Sequence, residues 1–338
     1  MPKTLIWHRM SISPLRKGET TMKITGKNEK INPLMGLYVA AGLLIASLPI
    51  RIYQLLTIIE SDTGFYKTVD RSVYVMYILA FAAVVIPYIL ATVAKNIPAS
   101  KSPFRRNKIL AATSFFLGAG IVLDVVSAAS KLIINARNFT ASGLSFFGTA
   151  EQGQVPLLFE AIIGIFAAIY LFVFGISYID GRTTYSQYKF LAITPFFWAM
   201  ARLVLRFIRK ISYVNVSDLM LELFGIAFMM VFFMSFARIS SGLSNNKAMR
   251  SVFASGSVAV FFLGVSNIAR VVMLVSGNGA GIPNEYPLSI CDLAFAFFAA
   301  AYIVNAYKCA KENDSKELVE ETKVSENDMQ TDDNFLSE

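Results

Sequence analysis

Apolar residues fall along this chain in long runs separated by short polar stretches. Eight of the runs reach the length of a membrane crossing: 34–55, 73–95, 109–130, 156–179, 190–208, 216–238, 252–275 and 287–308. A hydrocarbon layer of about 30 Å needs roughly 20 residues of helix at 1.5 Å rise per residue. Helix is the expected conformation throughout. Unpaired backbone groups are costly in lipid, and the period-two alternation of a membrane barrel is absent. The fifth run is the shortest clean one, because Lys189, Pro195, Arg202 and Arg206 crowd its ends. The pattern therefore predicts an all-α polytopic integral membrane protein with eight transmembrane helices.

Composition agrees with the pattern. Of 338 residues, 55 % are hydrophobic and 16 % charged, and the mean hydropathy is +0.54. These values exclude a soluble enzyme, a disordered chain and, with two cysteines, a disulfide scaffold. The basic residues orient the helices. With the N-terminus inside, 21 Lys and Arg lie on cytoplasmic segments and 8 on outer ones. Removing the fifth span narrows the division to 18 against 12. Eight spans with both termini cytoplasmic, in a bacterial cell membrane, is the expected topology. The net charge of +8 is an orientation signal and does not suggest a nucleic-acid partner.

Residues 1–33 form a basic cytoplasmic N-terminus. The first span runs into Arg51 with no small-residue cleavage site behind it, so it reads as an uncleaved anchor. Lys17-Gly18-Glu19 can be encoded by codons containing a ribosome-binding sequence upstream of Met22, which suggests translation from Met22 and an untranslated 1–21. Residues 309–338 form an acidic tail whose only aromatic is Phe335. A solvated, disordered cytoplasmic segment is expected there, with docking of a cytoplasmic partner as the alternative.

Two pairs of spans share spacing. Phe115-Phe116-Leu117-Gly118, Asp124-Val125-Val126 and Ser130 match Phe261-Phe262-Leu263-Gly264, Arg270-Val271-Val272 and Ser276. Glu160 before Phe166-Ala167-Ala168 matches Asp292 before Phe298-Ala299-Ala300. A parallel 4+4 repeat accounts for both matches; shared membrane composition is the plainer explanation.

The ionisable residues inside the spans carry most of the chemical information, because burying a charge at mid-membrane costs roughly 2.5–3.5 kcal/mol on insertion scales. They are Arg51, Asp124, Glu160, Arg202, Arg206, Asp218, Glu222, Arg270 and Asp292. Odd spans carry theirs near the C-terminal end and even spans near the N-terminal end. Alternating topology turns this into a single layer in the outer leaflet, roughly 6–9 Å below the boundary at 1.5 Å per residue.

Two readings of the layer stand. In one, Arg51, Asp124, Glu160, Arg202, Arg206, Glu222, Arg270 and Asp292 line an outward-facing pocket that binds or transports a small polar or zwitterionic solute. In the other, arginines snorkel outward and pair with the acids in a structural clamp, and the protein is a non-transporting sensor or complex subunit. The inner half is almost purely apolar, which counts against transport. Gly118, Gly120 and Gly264 read as close-packing positions. Met220, Met229, Met230 and Met234 read as apolar filler, 60–66 as a turn, and Gly277, Gly279 and Gly281 as a flexible loop.

An enzyme is disfavoured. The sequence has no metal-ligand spacing, phosphate loop or nucleophile elbow, and it implies no cofactor. Paired acid–base work by Asp218 and Glu222, one helical turn apart, is the place to look otherwise. Cys291 and Cys309 stand at opposite ends of one span and cannot pair with each other.

Overall fold

The structure, a computed structural model, describes residues 32–60, 66–68, 70–94, 106–142, 154–182, 184–208, 216–243, 246–282, 288–309 and 311. The readings on residues 1–31, including a start at Met22, and on the tail beyond 311 lie outside the described residues. Among those described there are eight helices long and apolar enough to cross a membrane, and no strand. They are α1 Met35–Tyr53, α2 Arg71–Val93, α3 Lys108–Ser142, α4 Gln154–Asp180, α5 Thr194–Ile208, α6 Val216–Ser240, α7 Asn246–Val275 and α8 Ile290–Cys309.

Local departures from the predicted spans have local causes. α3 runs on to Ser142, well past 130, because a helix needs only its backbone bonds and does not stop where apolar side chains do. Short 3₁₀ turns at Thr184–Gln187 and Leu191–Ile193 lead into α5, where Pro195 sits in the first turn. A proline there gives up an N–H that has no intrahelical acceptor. Pro49 and Pro87 lie inside α1 and α2, positions that membrane helices tolerate when their neighbours repair the lost bond.

α1 does not end cleanly. It passes into a π-helical turn, Gln54–Ile58, closed by the Ile59 amide donating to the Gln54 carbonyl at 2.8 Å. π turns are rare and recur at functional sites. At the start of this turn Gln54, three residues after Arg51 and so on the same helix face, accepts at Oε1 from Arg51 Nη1 at 3.0 Å.

α7 is the central helix. Of its apolar window 72 % is buried inside the protein, against 22 % for α2 at the periphery. It packs against α1, α2 and α6, while α4 packs against α3 and α5. The odd helices finish, and the even helices start, at the same end of the bundle, called the charged end below. Toward the opposite end lies a dry aromatic block built from α4, α6 and α8. In it Phe174, Phe232, Phe236, Phe298 and Tyr302 meet mostly edge to face, with centroids between 5.2 and 6.4 Å.

Candidate functional site: a charged layer and its cleft

Helix polarity explains the arrangement of the charges. Acids are favoured near helix N-termini and cations near C-termini, where the backbone dipoles leave partial charges of opposite sign. Asp218 lies in the first turn of α6, and Arg51 and Arg206 in the last turns of α1 and α5. Asp292 follows the start of α8 by two residues, and Ser289 holds that start by accepting from the Asp292 amide at 3.3 Å. The Ser289 amide in turn donates to Asn267 Oδ1 of α7 at 3.0 Å, fixing α8 to the core. Asp124 is the exception to the dipole rule, since α3 continues for five turns beyond it.

The structure sorts the layer into three groups. In the first, Asp218 Oδ1 accepts from Arg51 and, at 3.4 Å, from Arg270 Nη2, so one carboxylate of α6 joins α1 to α7. All three side chains are only 1–2 % exposed. In the second, Arg202 of α5 grips both oxygens of Asp292 from α8, the longer contact being 3.3 Å. Its Nε stands 3.4 Å from Asp124 Oδ2 and 3.9 Å from Glu160 Oε1. Its guanidinium carbon lies 5.0 Å over the Trp198 ring, a cation–π contact from one turn back on the same helix. The third group is the pair of Arg206 with Glu222, joining α5 to α6.

Arg51, Arg202 and Arg270 are each buried and met by a carboxylate. The acids thus meet these arginines inside the bundle.

A cleft of about 470 Å³ opens between α3, α4, α5 and α8. Asp124, Lys131, Glu160, Arg202 and Arg206 supply its charge, and Ser127, Ser289 and Cys291 add smaller polar groups. Asp124 is 34 % exposed here and Arg202 6 %, so the first faces open space and the second forms the wall behind it. Beside the Arg202–Asp292 and Arg206–Glu222 pairs, the cleft holds two carboxylates that also face Arg202 Nε and one cation outside these pairs. The carboxylates are Asp124 and Glu160; the cation, Lys131, is exposed.

Of the residues expected in a pocket, Asp124, Glu160, Arg202 and Arg206 come together on this cleft. Asp292 and Glu222 stand behind it as partners of the two arginines. Arg51 and Arg270 belong to the separate Asp218 group and do not line it.

Sequence reasoning placed Asp218 in the layer but not at its hub, and did not single out Lys131, Ser127 or Ser289. A signal existed for part of this. Gly120, Asp124, Ser127 and Lys131 recur at intervals of three and four residues, which puts them on one face of α3. Gly120 also sets the width of the cleft, because a Cβ there would stand 3.0 Å from the Cα of Cys291. Among the described residues, no group of three or more His, Cys, Asp or Glu side chains could hold a metal ion.

Fold and layer together define a multi-pass helical membrane protein with paired charges at one end. No protein-family model, curated protein or solved structure matches the chain.

Proposed function

We propose that this protein binds a small zwitterionic solute in the cleft between α3, α4, α5 and α8, from outside a bacterial cytoplasmic membrane. The observation that carries the reading is the cleft itself. Its volume of about 470 Å³ is of small-molecule size, and both signs of charge line it. An ammonium group suits Asp124 and Glu160, and a carboxylate suits Lys131. The Lys/Arg distribution supports placing the charged end outside and both termini in the cytoplasm.

The aromatic block toward the other end favours binding over passage. A solute leaving the cleft toward the cytoplasm would meet Trp198, Phe233 and Phe295, all buried, with Phe233 in edge contact with the other two. A transporter would have to part that block, so ligand sensing, with output through the cytoplasmic segments, is the form of the reading we prefer. The alternative, a complex subunit whose charges act only as a clamp, draws support from the Arg51–Asp218–Arg270 group, which has no share in the cleft. A 4+4 duplication remains part of the proposal on the matched spacing of Asp124 with Arg270 and Glu160 with Asp292.

The test is thermal stability of the detergent-purified protein against amino acids, betaines and polyamines at millimolar concentration. A zwitterion that raises the melting temperature, with the rise lost in Asp124→Asn and in Glu160→Gln, is the expected result. No shift with any compound would overturn the reading. Uptake of the bound compound into proteoliposomes would replace sensing with transport.

A further inference from the structure

A second cavity, of about 300 Å³, lies away from the charged cleft and has the opposite character. α2 packs on α1 and α7, and α6 on α5 and α7, so α2 and α6 straddle α7 with a slot between them. Phe262 of α7 forms the floor of the slot. Ala80 and Val84 line it from α2, and Leu221 and Phe224 from α6. Tyr77, Phe81, Met220 and Phe224 are exposed along its rim, so it opens sideways to the surrounding lipid. One turn beyond Val84, Tyr88 meets Phe228 at 6.1 Å and bridges the two helices below the slot. From Met76 to Val84, its lining residues on α2, the slot runs roughly 12 Å at 1.5 Å per residue, the length of a medium acyl chain.

The polar groups are confined to the charged end of the slot, and they can all donate hydrogen bonds: Arg51, Tyr66 and Tyr77. Arg51 spends one Nη on Gln54 and the other on Asp218 and also hydrogen-bonds Tyr66, and a guanidinium has five N–H donors, so further ones remain for a ligand.

A long apolar trough headed by donors matches one chemistry. We propose that the slot binds a single-chain alkyl carboxylate, entering from the bilayer between α2 and α6, with its carboxylate on Arg51, Tyr66 and Tyr77. The volume holds one chain, and a two-chain phospholipid does not fit it.

The experiment is photo-crosslinking of the purified full chain in nanodiscs with a diazirine-bearing decanoic acid, followed by peptide mapping. Adducts concentrate on Phe81, Met220 and Phe224, and unlabelled decanoate competes them at least tenfold better than decanol. Ala80→Phe, which fills the trough, removes at least nine-tenths of these adducts. Tyr77→Phe, a change on the lipid-exposed rim, weakens competition by decanoate about fivefold, the loss of one hydrogen bond. Adducts spread evenly over lipid-facing residues would overturn the proposal, as would equal competition by decanol. A phospholipid retained at one per chain in native mass spectrometry and lost in Ala80→Phe would overturn it too, in favour of a lipid site.

Discussion

Asp218→Asn removes the carboxylate that the buried guanidiniums of Arg51 and Arg270 share. Arg51 and Arg270 are 1 % and 2 % exposed, and both donate to the same oxygen, Asp218 Oδ1. Deleting one member of a buried ion pair costs about 3–5 kcal/mol, because the survivor keeps its charge without compensation. Asn keeps the shape and one acceptor, so the lower end, about 3 kcal/mol, is expected. Arg51→Met should cost less, since Asp218 then still has Arg270 at 3.4 Å. The order of the two single variants, with Asp218→Asn the worse, thus reports the hub geometry. The assay is equilibrium unfolding of the purified protein in dodecylmaltoside titrated with sodium dodecyl sulfate, including the double variant. A coupling of about 1 kcal/mol or more between positions 51 and 218 is expected for groups in one network. If Asp218→Asn unfolds within 0.5 kcal/mol of the unmodified chain, the group does not clamp α1, α6 and α7 together, and the reasoning fails.

Three further outcomes follow from the geometry. Gly120→Ala places a methyl 3.0 Å from the Cys291 backbone and should destabilise the α3–α8 contact by about 1–3 kcal/mol in the same titration. Ser289→Ala removes the cap of α8 and should cost about 1 kcal/mol, seen as a lower midpoint. Arg202→Lys gives up the two-pronged hold on Asp292 and the planar stack on Trp198, so it should lower the midpoint although the charge is kept. Equal midpoints for Arg202→Lys and the unmodified chain would remove the case for a fixed guanidinium at that position.

The number of spans was legible because hydropathy acts through the element that crosses the membrane, and each crossing consumes a long run of residues. The depth of the charges was legible for a related reason. Position along a helix converts directly into height, so odd and even spans revealed one layer before any packing was known. Which charge meets which was not legible, since pairing depends on how each helix is rotated and on its neighbours. Arg51 and Arg202 share a depth, yet α1 turns one toward Asp218 and α5 turns the other toward Asp292. Asp218 stands two residues into α6, and its depth alone does not mark it as a hub; Arg51 of α1 and Arg270 of α7 meet it there. The π turn at Gln54–Ile58 leaves no mark in the apolar pattern.

The central claim is that the charged cleft is wet and reached from outside the cell. Cysteines at Asp124 and Ser127, in a chain carrying Cys291→Ser and Cys309→Ser, test it directly in intact cells with a membrane-impermeant, charged methanethiosulfonate. Both positions line the cleft, whereas Val122, exposed on the same helix but off the cleft, serves as the lipid-facing control. Rapid modification at 124 and 127 with protection at 122 is the predicted result. Protection at all three positions, under conditions where a permeant reagent labels the denatured chain, would contradict the account.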